Sequence, residues 1–281
     1  MANPVLVRLP FSHFCRKAEW GLSQAGIAYS TLDVGLFGLR RLRRINPEGT
    51  VPILVDGDAL IVGAGRILLW ADAHKAPNAP ALYPIEATSD VAAWETWADT
   101  TIGPVARREA YRALLANPRL ARGHGLPWWS RTPAARRIYL GVLKTLKARR
   151  FDDADAKAVP IILEKVSRRL ASSPFLFGTK PTAADIATAA LLEPLVVSAP
   201  QRGYAQILGW SAVEAFVTRV RPARTTSTGG RRMTSAALHR LADLAARQPP
   251  AATAALRCEC GAPDARTIAT QAELAGLSMP A

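Results

Sequence analysis

Cysteine is scarce in this chain: only Cys15, Cys258 and Cys260 occur in 281 residues. Three cysteines cannot build a disulfide framework, so a reducing compartment is expected. Cys258-Glu-Cys260 offers two soft ligands with no second pair nearby, and a zinc site needs about four. Long apolar runs are missing too. The strongest runs are interrupted by Arg66, or by Asp185, Glu193 and Pro194, well short of the ~20 residues a membrane span requires. Val5-Leu6-Val7 is cut off by Arg8, too short for the core of a secretory leader. A cytoplasmic protein without a membrane segment is the expectation. Acidic residues are under-represented, 22 against 36 Lys and Arg, which leaves a formal net charge of +14. Such a balance favours anionic partners, or simply reflects an arginine-rich solvated surface. Nucleic acid as a partner would call for aromatic interleaving or a known reader motif. Neither is present, so no nucleic-acid binding is expected.

What is present is a hydrophobic share of 49%, enough for real cores, in a chain long enough for two domains. Val5 to Leu9 reads as a short strand. After Pro10-Phe11-Ser12, the apolar residues Phe14, Ala18, Leu22 and Ala25 recur at helical spacing, and Gly26 ends the helix. Tyr29 to Val34 reads as a second strand, so the opening is β-α-β with a right-handed crossover. An arginine-rich segment, Arg40-Arg41-Leu42-Arg43-Arg44, stops at Asn46-Pro47.

Gly49-Thr50-Val51-Pro52-Ile53-Leu54-Val55-Asp56-Gly57 follows. Pro has no N–H for a sheet ladder, which places Pro52 at a strand start or edge. A cis bond there, a minority state for X-Pro, would turn the peptide groups of Val51 outward. Asp56-Gly57 suits a tight hairpin into Ala59-Leu60-Ile61, and Gly65 to Ala73 reads as a helix. The order is that of a thioredoxin-like α/β domain over residues 1–75. Residues 76–87 begin with Ala76-Pro77-Asn78-Ala79-Pro80 and read as a linker. Residues 88–222 show helical patterns only, with breaks near 123–125, 152–153 and 172–174. Residues 223–281 are polar, Ala-rich and poor in branched apolar residues, and a flexible or disordered tail is expected. One short helix over Leu238, Leu241 and Leu244 is the exception.

Three motifs carry a resemblance. Ser12-His13-Phe14-Cys15-Arg16-Lys17-Ala18-Glu19-Trp20 resembles the first-helix motif of bacterial glutathione S-transferases, here of a Ser-x-x-Cys type. Asn46 to Leu54 resembles their cis-proline motif. Phe175-Leu176-Phe177-Gly178 with Pro181-Thr182-Ala183-Ala184-Asp185-Ile186 resembles their helical-domain signature. The resemblance covers about residues 4–222 and leaves the C-terminus unmatched. It implies a thioredoxin-like domain joined to an all-α domain, a cytoplasmic homodimer, glutathione as co-substrate without a metal, and conjugation of the glutathione thiolate to a small electrophile.

On that resemblance Ser12 holds the glutathione sulfur. Lowering a thiol pKa from about 8.5 by two units takes ~2.7 kcal/mol. A hydroxyl hydrogen bond to a charged acceptor supplies ~1.5–3 kcal/mol, and a helix N-terminus about 0.3–1 more. Ser12 also fits a plain N-cap role. Cys15 is the alternative reacting group, through a mixed disulfide with glutathione, or else a buried inert thiol. His13 is expected at the surface. Val51 and Pro52 would supply the backbone pair for the cysteinyl unit. Gly63 and Ala64 stand where family members carry an acid or Gln followed by Ser for the γ-glutamyl group. Losing one such hydrogen bond costs ~1.5–3 kcal/mol, about 10–150-fold in affinity, and bare N–H groups at a helix start retain part of the grip. A non-catalytic, glutathione transferase-like binding protein is therefore the alternative function. Arg40–Arg44 would meet an anion or form a solvated face. The electrophile pocket is expected in the helical domain near Trp94, Trp97 and Tyr111. Thr182-x-x-Asp185 reads as a capping box with a structural role only.

Overall fold

The computed structural model describes residues 3–34, 41–46, 48–116, 141, 154–223 and 225–248. The N-terminal elements are β1 (Val5–Arg8), α1 (His13–Gln24), β2 (Tyr29–Asp33), a 3-10 turn (Arg41–Arg44), β3 (Ile53–Asp56), β4 (Ala59–Val62) and α2 (Ala64–Ala73). β1 runs parallel to β2 and antiparallel to β3, and β3 runs antiparallel to β4. The β3–β4 hairpin turns through Gly57, whose φ of +54° suits a residue without Cβ.

Alternation along the strands sorts the apolar residues onto two sheet faces. Leu6, Leu54 and Tyr29 join α1, α2 and the helical domain in the main core. Val7, Ile53, Leu60 and Val62 point the other way, into a second cluster with Val34, Leu42 and Ile45.

The segment 76–87 is pinned. The Ala76 N–H donates to the Ala25 carbonyl, and the Leu82 N–H to Asp72 Oδ1 at 2.7 Å. The helical domain comprises α3 (Thr88–Trp97), a π turn (Ala98–Ile102), α4 (Gly103–Ala116), α5 (Ala154–Leu170), α6 (Ala183–Arg202) and α7 (Trp210–Val220). The breaks expected at 123–125 and 152–153 lie outside the described residues. At the start of α6 the Asp185 carboxylate accepts from the Thr182 N–H at 2.8 Å, the Thr182 hydroxyl at 2.6 Å and the Leu176 N–H at 2.7 Å. The capping box therefore also ties down the loop ahead of the helix.

Part of the segment read as a C-terminal tail is regular structure. Residues 227–232 form β5 (Ser227–Arg232), which pairs parallel to β2 and extends the sheet to the order β4-β3-β1-β2-β5. Residues 235–247 form α8 (Ser235–Arg247), capped by the Thr234 hydroxyl. The short helix read over Leu238, Leu241 and Leu244 is thus present, and its leucines close the second cluster. The physical reason is an open β2 edge beside an apolar sheet face. Residues 249–281, with Cys258 and Cys260, lie outside the described residues.

Candidate functional site

Strand register brings the candidate residues to one end of the sheet. Val7 pairs with Ile53, and Ile53 with Val62. The chain leaving β1 reaches Ser12, the chain entering β3 carries Val51 and Pro52, and the chain leaving β4 reaches Gly63 and Ala64. The Val51–Pro52 bond is cis, and the Gly63 N–H donates to the Pro52 carbonyl at 3.0 Å. Neither peptide group of Val51 is engaged in a backbone hydrogen bond among the described residues.

Ser12 is the N-cap of α1, and its Oγ accepts from the Cys15 N–H at 3.4 Å. A hydroxyl carries one donor and two lone pairs, so this cap leaves its O–H free to donate. Cys15, one turn on, is 1% exposed. Burial, above all, pushes its thiol up to about 12, and its Sγ accepts from the Leu9 N–H at 3.4 Å.

His13 lies inside the protein, contrary to the surface position expected of it. Its ring packs against Phe14 with centroids 4.7 Å apart. A glycine at the start of α4 permits this approach: a Cβ on Gly103 would stand 3.6 Å from His13 Nε2 and 2.8 Å from Phe14 Cζ. Burial, with Arg107 next, pushes the imidazole down to about 3, so His13 is neutral at physiological pH.

Gly63 caps α2 with φ +97°, a conformation suited to glycine, and offers no side-chain hydrogen bond. Ala64 follows as a buried first helical residue. At this cap the helix offers backbone N–H groups with no capping side chain. In the arginine-rich segment Arg43 and Arg44 are exposed and Leu42 is buried; Arg40 lies outside the described residues.

The two domains meet through charges that the sequence reading did not single out. Lys17 on α1 is fully buried, with Nζ 2.8 and 2.6 Å from the two Asp99 oxygens and 2.7 Å from Glu95 Oε1. The Tyr83 hydroxyl donates to Glu95 Oε2 at 2.6 Å. Arg16 pairs with Glu193 on α6 at 2.6 Å. Glu95 and Asp99 stand four residues apart, on one helical face. That spacing was the available signal, but their partner lies 82 residues from Asp99.

A groove of about 410 Å³ lies between α3 and α5, lined by Trp94, Ile161, Glu164, Lys165, Arg168 and Arg169. Lys165 Nζ sits 3.9 Å from the Trp97 ring centroid and 5.1 Å from that of Trp94. Trp94 thus lines a groove and Trp97 stands beside it, while Tyr111 does not line it, and neither does any residue of the N-terminal domain. Among the described residues no group of three His, Cys, Asp or Glu is placed to hold a metal ion. No helix among them is long and apolar enough to cross a membrane.

Comparison with known proteins agrees with this architecture. The chain is 31% identical over 80 residues to the Stringent starvation protein A homolog of Haemophilus influenzae, a match spanning 27% of this chain and 37% of that one. A theta class glutathione S-transferase from Xanthomonas axonopodis pv. citri, solved with glutathione bound, is 21% identical. Its TM-score is 0.52, over 80% of this chain and 99% of that one. Glutathione S-transferase I from maize, solved with an atrazine glutathione conjugate, is 16% identical with a TM-score of 0.56, over 88% of this chain and 100% of that one. At such identities these two likenesses show the fold alone. A glutathione S-transferase from Xanthobacter autotrophicus Py2 is 26% identical, TM-score 0.51, over 78% of this chain and 92% of that one. Residues 6–79 match the glutathione S-transferase N-terminal domain and residues 153–219 the C-terminal domain. With half of its length matched by these two domains in order, the chain belongs to the glutathione S-transferase family.

Proposed function

We propose that the protein binds glutathione at the sheet end where Ser12, Val51, Pro52, Gly63 and Ala64 converge, and conjugates its thiolate to a small electrophile. One observation carries this reading: the register Val7–Ile53–Val62 gathers the starts of α1, β3 and α2 at one place. The Val51 peptide groups pair with the cysteinyl unit as an added strand would. The Ser12 hydroxyl donates to the thiolate, and the N-terminus of α1 adds its partial positive charge. The thiol gives its proton to water; the thiolate attacks the electrophilic carbon, a C–S bond forms, and the leaving group departs with its electron pair. The burial of Cys15 favours Ser12 over Cys15 as the group at the sulfur, because a thiol held near 12 supplies almost no thiolate at neutral pH. A cytoplasmic homodimer acting without metal is part of the same reading.

The test is calorimetric titration of glutathione together with conjugation of a generic aryl halide. Binding, with conjugation lost by at least about tenfold in Ser12→Ala, supports transfer. Neither binding nor conjugation in the wild type, with no recovery in Ala64→Ser, ends it. The second reading is a glutathione transferase-like binding protein without catalysis, and the bare Gly63–Ala64 helix start favours it. Binding without turnover in the same experiment selects that reading.

A further inference from the structure

We propose that the C-terminal unit β5–α8 is a built-in clamp for the ligand cleft, and that Leu238 and Leu241 are positioning residues acting through Leu42 and Ile45 on Val51. Only the ligand's identity rests on the reading above.

The unit is fastened at both ends. At the β2 side the Met233 N–H donates to the Asp33 carbonyl at 2.9 Å, and the Thr228 hydroxyl to the Tyr29 carbonyl at 3.1 Å. Gly230 lets β5 lie close: a Cβ there would stand 2.8 Å from Thr31 Oγ1. At the far end Gln248 Nε2 donates to the Asp58 carbonyl in the β3–β4 turn at 2.7 Å. α8 therefore spans the outer sheet face from the end of β2 to the hairpin of β3 and β4.

Between these anchors lies the segment that leads into the cleft. Among its described residues the regular structure is one 3-10 turn of four residues, Arg41–Arg44, a type of turn with poor hydrogen-bond geometry that holds little by itself. Its apolar anchors are Leu42 and Ile45, both buried in the cluster that Leu238 and Leu241 complete. The path then continues through polar contacts. Asn46 Nδ2 donates to the Thr50 carbonyl at 3.1 Å, and the Thr50 N–H donates back to Asn46 Oδ1 at 3.2 Å. Val51 comes next, and its side chain packs against the same cluster. A continuous set of packed groups thus runs from α8 to the peptide proposed to pair with the ligand. Among the described residues, Leu238 and Leu241 of α8 are the buried members of this cluster contributed from outside the N-terminal domain.

The test compares full-length wild type, Leu238→Ser/Leu241→Ser, the milder Leu241→Ala and the conservative Leu241→Met. Amide hydrogen exchange is read at residues 42–51 and at α6. Affinity for glutathione and the KM and kcat for its conjugation to an aryl halide are read in parallel. The clamp predicts exchange at 42–51 about tenfold faster in the serine pair with α6 unchanged. It predicts glutathione binding about tenfold weaker, and KM raised with kcat held within about twofold. Leu241→Met should behave as wild type. If the serine pair does not fold, Leu241→Ala should show the same local pattern in smaller degree. Unchanged exchange at 42–51 in a folded variant, or a rise shared equally by α6, overturns the clamp. A wild type that ignores glutathione overturns the ligand reading instead, and exchange still decides the clamp.

Discussion

Lys17 of α1 and Asp99 of the π turn form a buried, two-pronged ion pair across the domain boundary, with Nζ 2.8 and 2.6 Å from the two carboxylate oxygens. Burial alone would push the ammonium down, but the Asp99 and Glu95 carboxylates outweigh it and the net shift is upward. A raised pKa means that the contribution of Lys17 is complete below its unfolded value near 10.4, down to about 6 where burial lets Asp99 protonate, and is lost as pH climbs through the folded lysine value. Removing the cation strands two interior carboxylates. Lys17→Met should therefore cost about 3–5 kcal/mol in urea denaturation at pH 7. Adding Asp99→Asn should return part of that loss. A single variant within about 1 kcal/mol of wild type would show that the pair does not hold the domains together.

His13 gives the opposite sign. Its folded pKa, about 3, lies below the ordinary 6.5. The stability tied to its neutral form is intact above 6.5 and drains away as pH falls toward 3, at roughly 1.4 kcal/mol per pH unit. Wild type should therefore lose stability between pH 6.5 and 4 faster than His13→Leu, which keeps the apolar contact with Phe14. Urea midpoints of both proteins across that range check this, and parallel curves would refute it.

Much of the architecture was legible because it rests on local rules. Period-3.6 patterning marked α1, the Pro52 motif marked the start of β3, and the Thr182–Asp185 box marked the start of α6. β5 was not legible. Ser227-Thr-Gly-Gly-Arg-Arg has poor strand propensity, and the conformation is imposed by pairing with Tyr29–Asp33 about two hundred residues earlier. Lys17 and His13 were hidden for a related reason. A polar residue on a helix reads as solvent-facing until its partners are known, and those of Lys17 come from another domain. At the candidate site, Ser12, Pro52 and Gly63 were readable from motif order; the depth of Cys15 is a tertiary property.

Gly21 on α1 sits where α2 comes closest. A Cβ there would stand 2.6 Å from Leu68 Cδ1 and 2.9 Å from Leu68 Cγ, and Leu68 is fully buried. Alanine gains up to about 1 kcal/mol of helix propensity over glycine, whereas overpacking a filled core costs about 1–3 kcal/mol. Gly21→Ala should be destabilising on balance, by about 1 kcal/mol or more. Leu68→Ala alone should cost about 2–5 kcal/mol. Because Leu68→Ala removes the atoms that the added methyl group would meet, the double variant should be more stable than the two single losses predict. Thermal or urea midpoints of the four proteins decide the matter, and strict additivity would mean that α1 and α2 have room between them for a methyl group.

Ala64→Ser places a hydroxyl at the first residue of α2, directly after Gly63, which has no side chain to cap the helix start. If the γ-glutamyl carboxylate of glutathione meets these N–H groups, the added hydroxyl contributes one more hydrogen bond to a charged acceptor. Such a bond is worth ~1.5–3 kcal/mol, or about 10–150-fold in dissociation constant. Ala64 is buried, so in the ligand-free protein the added hydroxyl should cost up to about 1–3 kcal/mol of stability where no partner meets it. Calorimetry with glutathione on wild type and Ala64→Ser separates the outcomes. A tightening in that range, abolished by a competing γ-glutamyl dipeptide, locates the γ-glutamyl end of the ligand at α2. An affinity unchanged by the substitution, in a protein that still binds, would place that end elsewhere.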